Sequence, residues 1–149
     1  MCANTFHQYV ERLESEIDVP VIHIAKATAK EIRQNNLKKI GLLGTKQTME
    51  MDFYKLKLKE ENIEALIPGP VEREFIQKTI NNELVKGIFS DESRSRFIKI
   101  CNDLYSKGAE GIVLGCTEIP LLVKQEDINI PLFNTLLIHS ISAVDFALM

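Results

Sequence analysis

Short, unbroken apolar runs rich in Val, Ile and Leu recur along this chain, separated by longer segments whose apolar residues return every three or four positions. An apolar run without alternation suits a strand buried on both faces of a parallel sheet, and parallel strands need crossover connections, usually helical. The runs predict strands at 19–24, 39–43, 65–68, 111–114 and 131–133. The periodic segments predict helices at 6–17, 25–35, 49–62, 72–87, 92–107, 119–125 and 138–148. An α/β class with right-handed crossovers follows. Helix signals agree: Thr48 as a cap before Met49, Ser90 or Asp91 before Arg94, and Gly108 as a stop before the strand at Gly111.

With 149 residues, 45% of them hydrophobic, the chain has enough apolar surface for one real core. A net charge of -3 with interspersed signs offers no basic stripe for a phosphate backbone, so nucleic acid is excluded as a partner. No apolar run approaches the roughly 20 residues of a membrane span, and the first residues lack the basic-then-apolar order of a signal peptide. The expected location is cytoplasmic, without a membrane. Three widely spaced cysteines make neither a disulfide framework nor a zinc site, and no metal is expected.

In parallel α/β sheets ligands bind beyond the carboxyl ends of strands, which directs attention to the loops 2–7, 44–48, 115–118 and 134–139. In GIVLGCTEIPLL (111–122) a buried strand delivers Cys116, Thr117 and Glu118 to a helix start, where free amides and the dipole favour a thiolate or a bound carboxylate. The alternative reading of Cys116, as a small residue packed in a tight turn, is the less favoured one. Gly44, Thr45 and Thr48 form a second such turn, which reads as an anion loop or as simple helix capping; it lacks the nucleotide-binding glycine patterns. Cys2, Asn4, Thr5 and His7 gather a thiol, an amide, a hydroxyl and an imidazole within six residues, in a loop that enters a helix with no strand before it. Cys101 lies on the apolar face of its helix and reads as core, and His23 as a hydrogen-bonded structural imidazole within a strand. His139, after the last strand, faces either a ligand or the core.

These residues, CANTFH (2–7), GLLGTKQTMEMDFY (41–54), GIVLGCTEIPLL (111–122) and IHSISAVDFAL (138–148), resemble the aspartate/glutamate racemase family in order and spacing. Glu118 stands where glutamate racemases usually carry His, which places the resemblance nearer the aspartate racemase branch. The resemblance implies two Rossmann-like parallel-sheet lobes related by a pseudo-twofold axis, each contributing one catalytic Cys, here Cys2 and Cys116. It implies racemisation of a small amino acid without any cofactor: one thiolate takes the Cα proton while the opposing thiol returns one to the other face. Asn4, Thr5, Thr45, Thr48 and Thr117 would hold the substrate carboxylate, and His7, Glu118 and His139 would tune the thiols or bind the amino group. Homodimers are common in the family, which makes a second copy a candidate partner.

Two departures accompany the resemblance. Relatives carry about a further third of chain before the first Cys, so the first lobe, residues 1–35 plus 131–149, is expected to be incomplete, and lobe two, 36–130, complete. An incomplete sheet leaves apolar surface prone to association. Relatives also read Phe-Asp-Thr-Thr where this chain has Phe133, Asn134, Thr135 and Leu136. Little or no turnover by this chain alone is therefore the expectation, with an inactive racemase-like fragment or carboxylate-binding remnant as the alternative. A Cys2–Cys116 redox couple has nothing beyond their expected proximity to support it.

Overall fold

The computed structural model describes residues 2–148. After a 3-10 turn at Asn4–Tyr9, the chain runs through α1 (Val10–Glu14), α2 (Ile24–Gln34), β1 (Lys39–Gly44), α3 (Lys46–Glu50), α4 (Asp52–Glu60) and β2 (Glu64–Leu66). It continues with α5 (Pro70–Asn82), α6 (Asp91–Ser106), β3 (Gly111–Gly115), α7 (Ile119–Leu122), β4 (Leu132–Asn134) and α8 (Thr135–Ala147). The four strands form one parallel sheet in the order β2-β1-β3-β4, with Leu42 opposite Val113 and Val113 opposite Phe133.

Side chains alternate across this sheet because the strand period is two. Ile40, Leu42, Val113 and Phe133 pack on one face with Ile24, Ala29 and Ile32 of α2 and Tyr54 and Leu58 of α4. Leu43, Ile112 and Leu114 pack on the other with Ile76 and Ile80 of α5, Phe97, Ile100 and Leu104 of α6, and Ile119 and Leu122 of α7. Both faces are covered, which is why the runs at 39–43 and 111–114 show no polar alternation. Cys101 lies in the second layer and burial lifts its thiol to about 12, as expected for a core residue.

Four of the five predicted strands are present within one or two residues. The run at 19–24 is not a strand: residues 20–23 have no regular structure, and Ile24 already begins α2. An apolar run becomes a strand only with a neighbouring strand to bond to, and Val21 and Ile22 make no backbone–backbone hydrogen bond among the described residues. His23 is therefore not inside a strand. It caps α2, its Nδ1 accepting from the Ala25 amide at 3.1 Å.

The expected helix at 49–62 is broken at Met51, whose extended backbone separates α3 from α4, and its start lies earlier than Thr48. Thr45 is the cap, accepting from the Thr48 amide at 3.3 Å, whereas Ser90 caps α6 as expected. Gly108, at φ +96, ends the turn after α6. The strand at Leu132–Asn134, grouped by the sequence with residues 1–35, bonds to β3 in the same sheet, while α8 packs against α2. No helix among the described residues is long and apolar enough to cross a membrane.

Candidate active site

The carboxyl ends of β1, β3 and β4 open onto one edge of the sheet. Gly44 and Gly115 face each other there, and a Cβ on either would lie within 2.8 Å of the other strand's backbone and about 3 Å from Thr48 Cγ2. Their small size lets Thr48, fully buried, sit directly over the strand ends. Around it the hydroxyls form a cluster: Thr5 Oγ1 lies 2.8 Å from Thr45 Oγ1 and 3.3 Å from Thr48 Oγ1, and Thr45 and Thr48 are 3.0 Å apart. The loop after Cys2 is thereby tied to the β1–α3 turn.

A second tie reaches β3. Asn4 Nδ2 donates to Thr135 Oγ1 at 2.9 Å, and Thr135 Oγ1 donates to the Leu114 carbonyl at 2.9 Å. Thr135 does not stand out in the sequence, where His139 is the evident ligand group of the 134–139 loop. Its signal was positional, a hydroxyl one residue past a strand that pairs with the Cys116 strand, since Asn134 lies opposite Leu114.

Cys116, 8% exposed, donates from Sγ to Glu118 Oε2 at 2.9 Å. Burial first, then the Glu118 carboxylate, pushes this thiol up to about 12, although the amides of Thr117 and Glu118 pull the other way. The sequence reading that the helix start favours a thiolate is corrected here. α7 is a single turn of four residues, so its dipole is small, and a carboxylate stands against the sulfur. Burial raises the Glu118 pKa, but hydrogen bonds from Cys116, Thr117 and its own amide outweigh it and hold the carboxylate below its ordinary range. The resting pair is thus a thiol beside an ionised carboxylate.

Of the other sequence-predicted residues, Cys2 is exposed, two residues before the 3-10 turn, and Thr117 is half-buried. His139 is elsewhere: it is buried, its Nε2 lies 2.7 Å from the Ile22 carbonyl, and its ring meets that of His7 edge-on at 5.4 Å. His7 in turn lies 4.8 Å from His23 and accepts from the Ile24 amide at 3.4 Å. The three imidazoles form a buried cluster joining the first turn, α2 and α8. Burial first, then His7, Lys57 and Lys26, lowers His23 from the ordinary 6.5 to about 4, against a small opposing pull from Glu60.

Comparison with known proteins identifies the family and the fold. The family described as Asp/Glu/Hydantoin racemase matches residues 1–143. The fold superposes on an Asp/Glu racemase-like protein from Yersinia pestis with a TM-score of 0.94 at 42% identity, covering 99% of this chain and 65% of that one. An aspartate racemase homologue from Pyrococcus horikoshii gives 0.89 at 34% identity, again over 99% and 65% of the two chains. The broad specificity amino-acid racemase of Bacillus subtilis is 27% identical over 135 residues, 89% of this chain and 56% of that protein. The chain therefore spans about two thirds of the solved relatives and little more than half of the Bacillus enzyme.

Proposed function

We propose, since this chain belongs to the Asp/Glu/hydantoin racemase family, that its site moves protons at the Cα of an amino acid, aspartate first, by a two-thiol mechanism without a cofactor. The observation that carries this reading is the Cys116–Glu118 pair at the end of β3, together with the two hydrogen-bonded ties that hold the Cys2 loop against the same sheet edge. In this reading residues 1–35 with the tail 131–149 bear one thiol and residues 36–130 the other.

A Cα–H is a very weak acid, so the pair of electrons it releases must be delocalised into the carboxylate as an enediolate and stabilised there by hydrogen bonds. Thr5, Thr45, Thr48, Thr117 and Asn4 are the groups proposed for that carboxylate. Cys116 rests as a thiol and is therefore ready as the donor: its S–H bond breaks as Cα–H forms on its face, while Cys2 takes the original proton on the other. In the reverse direction the roles swap: Cys116, left as the thiolate by that donation, takes the proton from its face while the Cys2 thiol donates on the other, and Glu118 beside the sulfur tunes it. His139 has its Nε2 occupied by the Ile22 carbonyl and fits support of the Cys2 loop better than substrate contact.

A second reading, a carboxylate-binding remnant without turnover, draws support from the strongly raised Cys116 thiol. One experiment separates the two. The chain is incubated with L-aspartate in deuterated water, following Cα deuterium and D-aspartate together, with Cys116→Ala as control. Exchange that the substitution abolishes supports the racemase reading; bound aspartate with no exchange supports the remnant.

A further inference from the structure

We infer that Thr135 is a positioning residue that sets the Cys2 loop against the end of β3 carrying Cys116; the inference rests on the two-thiol reading above. Its hydroxyl has one hydrogen, and a carbonyl can only accept, so the bond to Leu114 O uses that hydrogen. Toward Asn4 the hydroxyl can then only accept, which fixes the Asn4 amide with Nδ2 turned to Thr135. Nothing else orients that amide, because Asn4 Oδ1 is buried without a partner among the described residues.

Asn4 is two residues after Cys2 and Leu114 two residues before Cys116, so the relay, whose Asn4–Thr135 bond spans 131 positions of sequence, joins the backbones that present the two thiols. Asn4 is 3% exposed and Thr135 0%, which shields both bonds from exchange with water. The geometry of β4 explains why this residue can do it: Asn134 is in register with Leu114, and Thr135 follows as the first residue of α8. A serine would preserve the relay; a valine of the same shape would break both of its bonds.

The test measures cross-linking of Cys2 to Cys116 by dibromobimane, read by peptide mass, with single-site alkylation by iodoacetamide in parallel. Cys101 is fully buried and does not compete. Thr135→Val is expected to slow cross-linking by about tenfold or more, since thiols held in register react far faster than loosely placed ones, while iodoacetamide rates stay unchanged. Thr135→Ser is expected to restore the wild-type rate. Should Thr135→Val fail to fold, Asn4→Ala removes the same relay from its other end and is expected to show the same slowing. Wild-type cross-linking in a folded Thr135→Val or Asn4→Ala protein, or no cross-link in the wild type, overturns the inference. Loss of the proposed racemase reading looks different: no Cα deuterium in the wild type, with the cross-linking difference intact.

Discussion

The centre of the sheet and the segment before α2 are both apolar in sequence, yet they are buried to different extents. Ile40, Leu42, Leu43, Ile112 and Val113 are fully buried between two helical layers. In the run before α2, Val19 is 64% exposed and Val21 and Ile22 are only half-buried, and Phe6, Tyr9 and Leu13 earlier in the chain are exposed as well. Composition does not separate the two regions; partners do. β1 finds β2 and β3 within the chain, whereas residues 19–22 find no strand to bond to. A hydrophobic pattern specifies what a segment needs, and burial follows only where another element supplies it.

The difference should be largest in stability. Leu42→Ala removes a side chain packed between α2, α4 and the neighbouring strands, so a loss of about 2–5 kcal/mol is expected in urea unfolding. Val19→Ala should change stability by less than about 0.5 kcal/mol. A comparable cost for both would mean that Val19 is buried in solution, and the contrast between the regions would collapse.

A smaller effect comes from the histidine cluster, which anchors the weakly packed start to α2 and α8. His23 resists protonation in the fold, from an ordinary 6.5 down to about 4, so between those values the unfolded chain binds the proton and the folded chain does not. Stability is therefore full above pH 6.5 and declines as pH falls through about 4, by on the order of 1–2 kcal/mol once partial solvent access is allowed for. His23→Asn keeps a helix cap but cannot titrate, and should flatten the pH dependence of urea midpoints over that window. An unchanged slope would assign the acid sensitivity elsewhere.

The same contrast marks what the sequence made legible. The doubly covered strands, the Ser90 cap and Cys101 in the core were readable because each depends on local pattern. Thr45 as the cap in place of Thr48, and the break at Met51, turn on which residue leaves the helical region for an extended backbone, ψ 160 at both, and pattern does not encode that choice. The site was half legible. Cys116 and Glu118 are two residues apart, so their contact is nearly local. Asn4 with Thr135, and His7 with His23 and His139, meet only through the packing of the chain's two ends. The raised thiol was missed because burial and Glu118 outweigh a one-turn helix.

That balance at Cys116 can be sharpened directly. Glu118→Gln removes the charge that opposes the thiolate but leaves the burial, which is the larger cause. The Cys116 pKa should fall from about 12 while remaining above that of an exposed thiol, and alkylation of Cys116 at mildly alkaline pH should become severalfold faster. A slower or unchanged rate would mean that Glu118 does not face the sulfur.

The smallest expected effect on folding lies on α8, where Leu137, Ile141 and Val144, followed by Leu148 at the helix's C-cap, recur at helical spacing and are all exposed. Ile141 is 52% exposed although its helix is packed on α2, so the stripe does no work in the core of this chain. Replacing Leu137 and Ile141 together by Lys should change stability by less than about 0.5 kcal/mol, within the range of surface substitutions. What should change is association, because a contiguous apolar stripe is removed from water when two surfaces meet. Sedimentation is expected to show mass rising with concentration for the wild type and a constant monomer for the double variant. If the wild type stays monomeric throughout, the stripe is tolerated exposure, and the two regions differ in packing alone; if the double variant unfolds, the stripe belongs to the core after all.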